Sequence, residues 1–281
     1  MPNADVTTAV GKESHDAAML SPNPAERLLA ALDLADRPLR PGDPLPQAWH
    51  WLYFFSSPRG STLGRDGRGG KGELLPEFEG LNRMWAGGAL TVHRQLRIGE
   101  TIKRHSRIVA LEEKKGRTGR LILANLEHRL SDSAGLAQVE RHDLVFRERK
   151  PQTGIAPGER PATEPRWRRA LVPNEVLLFR FSALTYNAHR IHYDWPYATQ
   201  TEGYPTLLVH GPLTAILLLD AIEQNSAGRQ LVAFDYRALR PLFCGNPLTI
   251  CAAPTAGEAG IEVWAEDHEG FVAMRGKGMF A

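Results

Sequence analysis

Two cysteines, Cys244 and Cys251, are the whole complement of a 281-residue chain. So few exclude a disulfide-stapled scaffold. Both sit in strand-like surroundings, which suits buried, reduced thiols in a cytosolic protein. Long hydrophobic runs are missing as well, since no apolar stretch reaches the ~20 residues of a membrane-spanning helix. The opening MPNADVTTAVGKESHDAAML has no basic segment followed by an apolar core. Residues 1–20 therefore read as a disordered leader, and the expected location is the cytoplasm. Charge of one sign is lacking too. The 34 basic and 32 acidic residues leave +2, too balanced for a nucleic-acid or membrane-surface partner. What is there, 42% apolar and 23% charged residues, suits a globular chain with a sizeable core.

Nucleotide fingerprints fail in their required frames. GRDGRGG has no helix after its glycines, and GRGGKGE lacks the Ser or Thr that must follow the lysine.

Along the chain, NPAERLLAALDLADRPLRPGD holds a short amphipathic helix, with Leu28, Leu29, Leu32 and Leu34 as its apolar positions and prolines ending it. WHWLYFF reads as an aromatic strand or core segment. SSPRGSTLGRDGRGGKGELLP reads as a long mobile loop. From Ala89 the texture is strand-rich up to about residue 149. KPQTGIAPGERPATEPRW, residues 150–167, has no periodicity and reads as a linker. In the second half, HGPLTAILLLDAIEQ is a helix that is apolar on almost every face, so something must wrap it. Strand segments follow, and a curved antiparallel sheet around that helix satisfies both facts. LRIGETI and LFCGNPLTI form a faint internal echo. The expected organisation is two copies of one strand-rich α+β unit, over 21–149 and 168–281, and only the second has an unmistakable central helix.

The chemistry-bearing residues concentrate in TYNAHRIHYDWPYA. The spacing N-A-H-R-I-H, with the later VHGPLTAILL, resembles the MaoC-like hydratases and dehydratases of the hot-dog fold. In that family the pattern is an Asp, a polar residue, a Pro, an aliphatic residue and a His. Here Asn187 stands in place of the Asp, then His189, Arg190, Ile191 and His192. With RMWAGG and WLYFF, the likeness is more specific to type 2 hydroxyacyl-thioester dehydratases, a group that includes mesaconyl-C4-CoA and itaconyl-CoA hydratases. It runs from about Trp49 to the C-terminus. The resemblance implies a double hot-dog, each half an antiparallel sheet around a central helix, acting on a CoA thioester without a cofactor or metal. Whether two chains pair stays open.

Hydrating an enoyl thioester requires a base for water and donors at the oxygen where enolate charge develops. His192 is the natural base, because an imidazole titrates near neutral pH. Asn187 can hold water but cannot accept its proton. Gly211 opens the apolar helix, so its N–H is unpaired within that helix and faces the positive dipole end. His189 and Asp194 are candidate partners for His192, or members of a solvated face. His210, at the helix mouth, is expected to contact the substrate, as are His189 and Asp194. Arg190 is expected to grip a second carboxylate on a short dicarboxylyl-CoA, or only to pair with Asp194 four residues on. Arg83 and Trp85 are expected on the substrate face of the first half. Arg59, Arg65, Arg68 and Lys71 are candidates for the CoA phosphates. That half has no Asn/His cluster of its own in this reading and shapes the pocket without reacting.

Four other readings remain. His189, His192, Asp194 and His210 are one candidate set of metal ligands. A hot-dog thioesterase would use the same fold, and so would a fatty (3R)-hydroxyacyl dehydratase. A module that binds acyl-CoA without turning it over is the non-enzymatic alternative.

Overall fold

The structure, a computed structural model, describes residues 6–34, 38–69, 74–76, 78–116, 119–148, 155–257 and 259–281. Where the sequence suggests a disordered leader, a 3-10 turn over Val6–Ala9 and strand β1 (Glu13–Met19) stand instead. The correction has a backbone reason: β1 pairs antiparallel with β3 (Thr101–Gly116) from Glu13↔Arg107 to Met19↔Thr101. Helix α1 (Pro22–Ala31) follows, burying Ala25 and Leu28. WHWLYFF is a 3-10 turn over Trp49–Leu52 and then irregular chain, not a strand. Its Trp49, Leu52 and Phe54 are core residues all the same.

β2 (Leu81–Val92), β3, β4 (Gly119–Asp132) and β5 (Gly135–Glu148) complete the first half. The second half comprises β6 (Trp167–Leu171), α2 (Glu175–Leu184), α3 (Gly211–Gln224), β7 (Leu231–Ala238), β8 (Leu248–Pro254), β9 (Gly260–Glu266) and β10 (Val272–Phe280). Trp167, placed in the linker by sequence, starts β6, while residues 155–166 are irregular.

Among the described residues the ten strands form one sheet, ordered β1-β3-β4-β5-β2-β7-β10-β9-β8-β6. Read inward from either edge, the order is the same: first, third, fourth, fifth, second strand of each set of five. Both glycines of the echo, Gly99 and Gly245, occupy the same place before the third strand of their set. Both are left-handed, at φ +89 and +82, which is why a glycine recurs there.

The two sets meet at β2 and β7, where Gly87 faces Arg237 and Gly88 faces Tyr236. A Cβ on Gly87 would lie 2.4 Å from the Tyr236 carbonyl oxygen, and one on Gly88 2.4 Å from the Tyr236 hydroxyl. The glycines of RMWAGG thus permit the seam. Nine of the fourteen residues of α3 are buried, and it packs on β7, β8, β9 and β10. In the first half the sole α-helix among the described residues is the ten-residue α1. Among the described residues a long central helix therefore stands only in the second half, and the first half contributes Ser106, His128 and His142 to the lining of a cleft.

Candidate active site

His192 ends a 3-10 turn over Arg190–His192 and is 7% exposed. Its Nδ1 lies 2.9 Å from the Leu208 carbonyl oxygen. A carbonyl only accepts, so Nδ1 carries the hydrogen and Nε2 is the basic nitrogen. Burial outweighs that bond and, with Arg68 nearby, pulls the imidazole down to about 4. At neutral pH His192 is uncharged and ready to take a proton.

His210 caps α3 and stacks on His192 at 3.7 Å between ring centroids. Its Nε2 meets the Ser182 hydroxyl at 2.8 Å, and Phe181 covers its ring at 4.9 Å. Fully buried behind His192, it backs the base and does not line the cleft; the expected substrate contact is corrected.

Asn187 accepts the His189 backbone N–H on Oδ1 at 3.0 Å, which fixes the start of the turn. Its amide nitrogen remains for the cleft that it lines. His189 sets its ring edge-on to His192 at 5.4 Å. Gly211 begins α3 with Trp85 pressed over it; a Cβ would lie 2.8 Å from the Trp85 ring. Glycine there keeps the helix mouth open to a ligand.

These residues line one cleft of about 1990 Å³ with Arg83, Trp85 and Arg68. Arg190 and Asp194 do not line it. Arg190 pairs with Asp194 at 2.7 Å, donates to the Arg65 carbonyl and lies 4.2 Å over the Tyr197 ring. Asp194 also accepts the Tyr197 N–H, holding the π-helical turn over Tyr197–Thr201. The expectation that Arg190 grips substrate is corrected, because its guanidinium is held by Asp194 outside the lining of the cleft.

Two groups depart from the sequence reading. The first is the glycine-rich loop, expected to be mobile with Arg68 among its candidates for the CoA phosphates, which is instead docked on the histidine segment. The Asp66 carbonyl accepts the Arg190 N–H at 2.9 Å, and Gly67, at φ +84, lies where a Cβ would come within 2.1 Å of the Ala188 carbonyl oxygen. The loop brings in Arg68, whose Nε and Nη2 bind Asp66 at 2.8 and 2.6 Å and whose Nη1 donates to the Arg83 carbonyl. Three of five N–H groups are thus engaged. Burial and the adjacent Arg83 guanidinium both lower the Arg68 pKa, so two cations crowd one end of the cleft. The Asp66 carboxylate stands 4.0 Å from His189 Nε2. Lys71 lies outside the described residues.

The second group is in the first half, which does hold histidines: His50, His128 and His142 surround Glu140. Their signal was the alternation Glu140–Arg141–His142, which puts two polar side chains on the face that β5 otherwise fills with Leu144 and Phe146. As for metal, the sole grouping of three ligand residues among the described ones is Glu13, His15 and His105 at the sheet edge. The histidines at 189, 192 and 210 are not gathered that way.

Burial pushes down four histidines: His128 to about 3, His192 to about 4, and His189 and His210 well below the usual range. The unfolded chain binds these protons near pH 6.5 and the folded chain only several units lower, so acid favours unfolding. Urea midpoints should hold steady above pH 7 and fall continuously from pH 6.5 towards 4, at roughly 1.4 kcal/mol per pKa unit for each group that titrates. A midpoint flat down to pH 4.5 would contradict this assignment.

The strand order and the long wrapped helix define a hot-dog fold, here with a cluster of histidines at the helix mouth. The hydroxyacyl-thioester dehydratase type 2 family model matches residues 48–244, and the chain belongs to that family. It is 39% identical over 225 residues to mesaconyl-C(4)-CoA hydratase of Chloroflexus aurantiacus, covering 80% of each chain. Identity to the mitochondrial type 2 hydroxyacyl-thioester dehydratase of Schizosaccharomyces pombe is 26% over 235 residues, 75% of this chain and 78% of that one. The crystal structure of a MaoC-like dehydratase from Phytophthora capsici superposes with a TM-score of 0.71 at 13% identity, covering 96% of each chain. The chain is an enzyme of the hydratase–dehydratase class.

No helix is long and apolar enough to cross a membrane among the described residues.

Proposed function

We propose that the protein reversibly adds water across the double bond of a short dicarboxylyl enoyl-CoA, of the mesaconyl-C4-CoA or itaconyl-CoA type, giving citramalyl-CoA. The observation that carries this reading is the uncharged His192, its tautomer set by the Leu208 carbonyl, facing the same cleft as Gly211 and two arginines. His192 Nε2 takes a proton from water held by Asn187 as the water oxygen bonds to the β-carbon. Enolate charge then builds on the thioester oxygen, where the Gly211 N–H at the positive end of α3 stabilises it. With mesaconyl-C4-CoA the His192 imidazolium then returns the proton it took from water to the α-carbon, which completes the addition; with itaconyl-CoA that proton goes to the terminal methylene. The name of the 39% identical relative supports the substrate type. So does the crowding of Arg68 and Arg83, which a carboxylate would relieve.

The test is the enoyl-thioester absorbance band, followed with crotonyl-CoA, mesaconyl-C4-CoA, itaconyl-CoA and a long-chain enoyl-CoA. Loss of the band with mesaconyl-C4-CoA, appearance of citramalyl-CoA from itaconyl-CoA by chromatography, and no release of thiol are the expected results. Thiol release would mean a thioesterase, and preference for the long chain would mean a fatty dehydratase. Binding with no turnover of any of them would mean a module without catalysis. Arg68→Gln should raise KM for mesaconyl-C4-CoA at least about tenfold, the value of one charge-assisted bond, with a much smaller change for crotonyl-CoA. Equal changes for both would remove the carboxylate role from Arg68.

A further inference from the structure

The buried polar group of the first half has no part in the hydration chemistry. The Glu140 carboxylate meets His50 Nε2 at 3.0 Å, Trp51 Nε1 at 2.7 Å and His142 Nε2 at 2.8 Å. His128 sets its ring 4.7 Å from that of His142, with Nδ1 2.7 Å from the Ser106 hydroxyl. Strand register explains why they meet. Ser106 faces His128 across β3 and β4, and His128 faces Glu140 across β4 and β5. Side chains directly opposite one another point to the same face of a sheet, so these form a row across three strands.

Ser106, His128 and His142 line the same cleft as His192 and Gly211. Trp85 stands between the two groups. One side of it covers Gly211, and His142 lies 5.7 Å from it. An acyl group with its thioester oxygen at the Gly211 N–H must send whatever lies beyond the reacting carbons along this cleft. Its continuation over the first half, where a second central helix would otherwise lie, is floored by that row.

Resting on the hydratase reading, we propose that Ser106, His128 and His142 form a polar floor that sets acyl specificity, admitting short polar acyl groups and rejecting alkyl tails. An alkyl chain laid over this row strips water from the exposed edge of His142, which Ser106 and His128 back, and returns no hydrogen bond, which offsets part of the gain from burying its methylenes. A short group ending in a carboxylate leaves that edge wet or bonds to it. His142, with 23% of its side chain exposed, offers the open edge, whereas His128 and Glu140 are sealed behind it.

The experiment compares kcat/KM for trans-2-octenoyl-CoA with that for the faster of mesaconyl-C4-CoA and crotonyl-CoA. It uses wild type, His142→Leu and the polar control His142→Asn. The octenoyl-to-short ratio should be far below one in wild type and rise at least tenfold in His142→Leu. In His142→Asn it should stay within twofold of wild type. A wild-type ratio near one, an unmoved ratio in His142→Leu, or an equal rise in both variants would overturn the floor. If His142→Leu does not fold at assay temperature, Ser106→Ala/His128→Leu decides by the same tenfold criterion, since it removes a bonded pair together. A wild type inert on all these thioesters would overturn the hydratase reading itself.

Discussion

Replacing His192 by alanine should lower kcat about 10³-fold, the range of a positioned general base, and leave KM for the thioester nearly unchanged. In the proposed reaction the imidazole acts on the attacking water and not on the acyl chain, so its loss is expected in the chemical step. Its neighbours cannot take over. His210 is stacked behind it with Nε2 committed to Ser182, and Asn187 has no basic atom. His189 is the one other imidazole of the histidine segment lining the cleft, and burial, Arg68, His192 and Arg83 all disfavour its protonated form. Stopped-flow loss of the enoyl band gives kcat, and a thermal melt of the variant checks that the fold is intact. A loss below tenfold would move the base role to His189.

Gly67→Ala is expected to cost on the order of 10²-fold in kcat/KM, the scale of a misplacement of about 1 Å in a catalytic constellation. Two independent effects act at this position. Its φ of +84 disfavours any side chain by about 1–2 kcal/mol. A Cβ would also sit 2.1 Å from the Ala188 carbonyl oxygen, backbone that cannot yield without moving residues 187–190. The loop must lift, and Arg68 leaves the cleft with it. Gly67 lies in a loop outside the strands and helices, so the melting temperature should shift by only a few degrees. Wild-type kinetics in Gly67→Ala would show that the docked loop is dispensable.

Much of the second half was legible in the sequence because its signals are local. Gly-Pro at 211–212 and an apolar surface all round announce a buried helix start, and the structure puts one there. His192 and Asn187 lie within one short turn of each other, so spacing alone brought them to the same place. The four-residue interval of Arg190 and Asp194 predicted their pairing, but not that the pair would take Arg190 out of the cleft. β1 was missed because ESHDAAM alternates weakly, with only two partly buried positions. Its pairing comes from the edge of β3, not from its own pattern.

By itself, then, the sequence determined the fold type, the long wrapped helix and the grouping of His192, Asn187 and Gly211, proposed here as the reacting trio, at one cleft. The tertiary structure alone decided that a glycine-rich loop carries Arg68 and Asp66 to those residues. It alone set His50 against Glu140, 90 positions apart, and Trp85 over Gly211. The reason is physical. Helix starts and short turns are governed by neighbours within about four residues, whereas these contacts depend on strand register and on how the two half-sheets join at Gly87 and Gly88. Neither of these leaves a period in the chain.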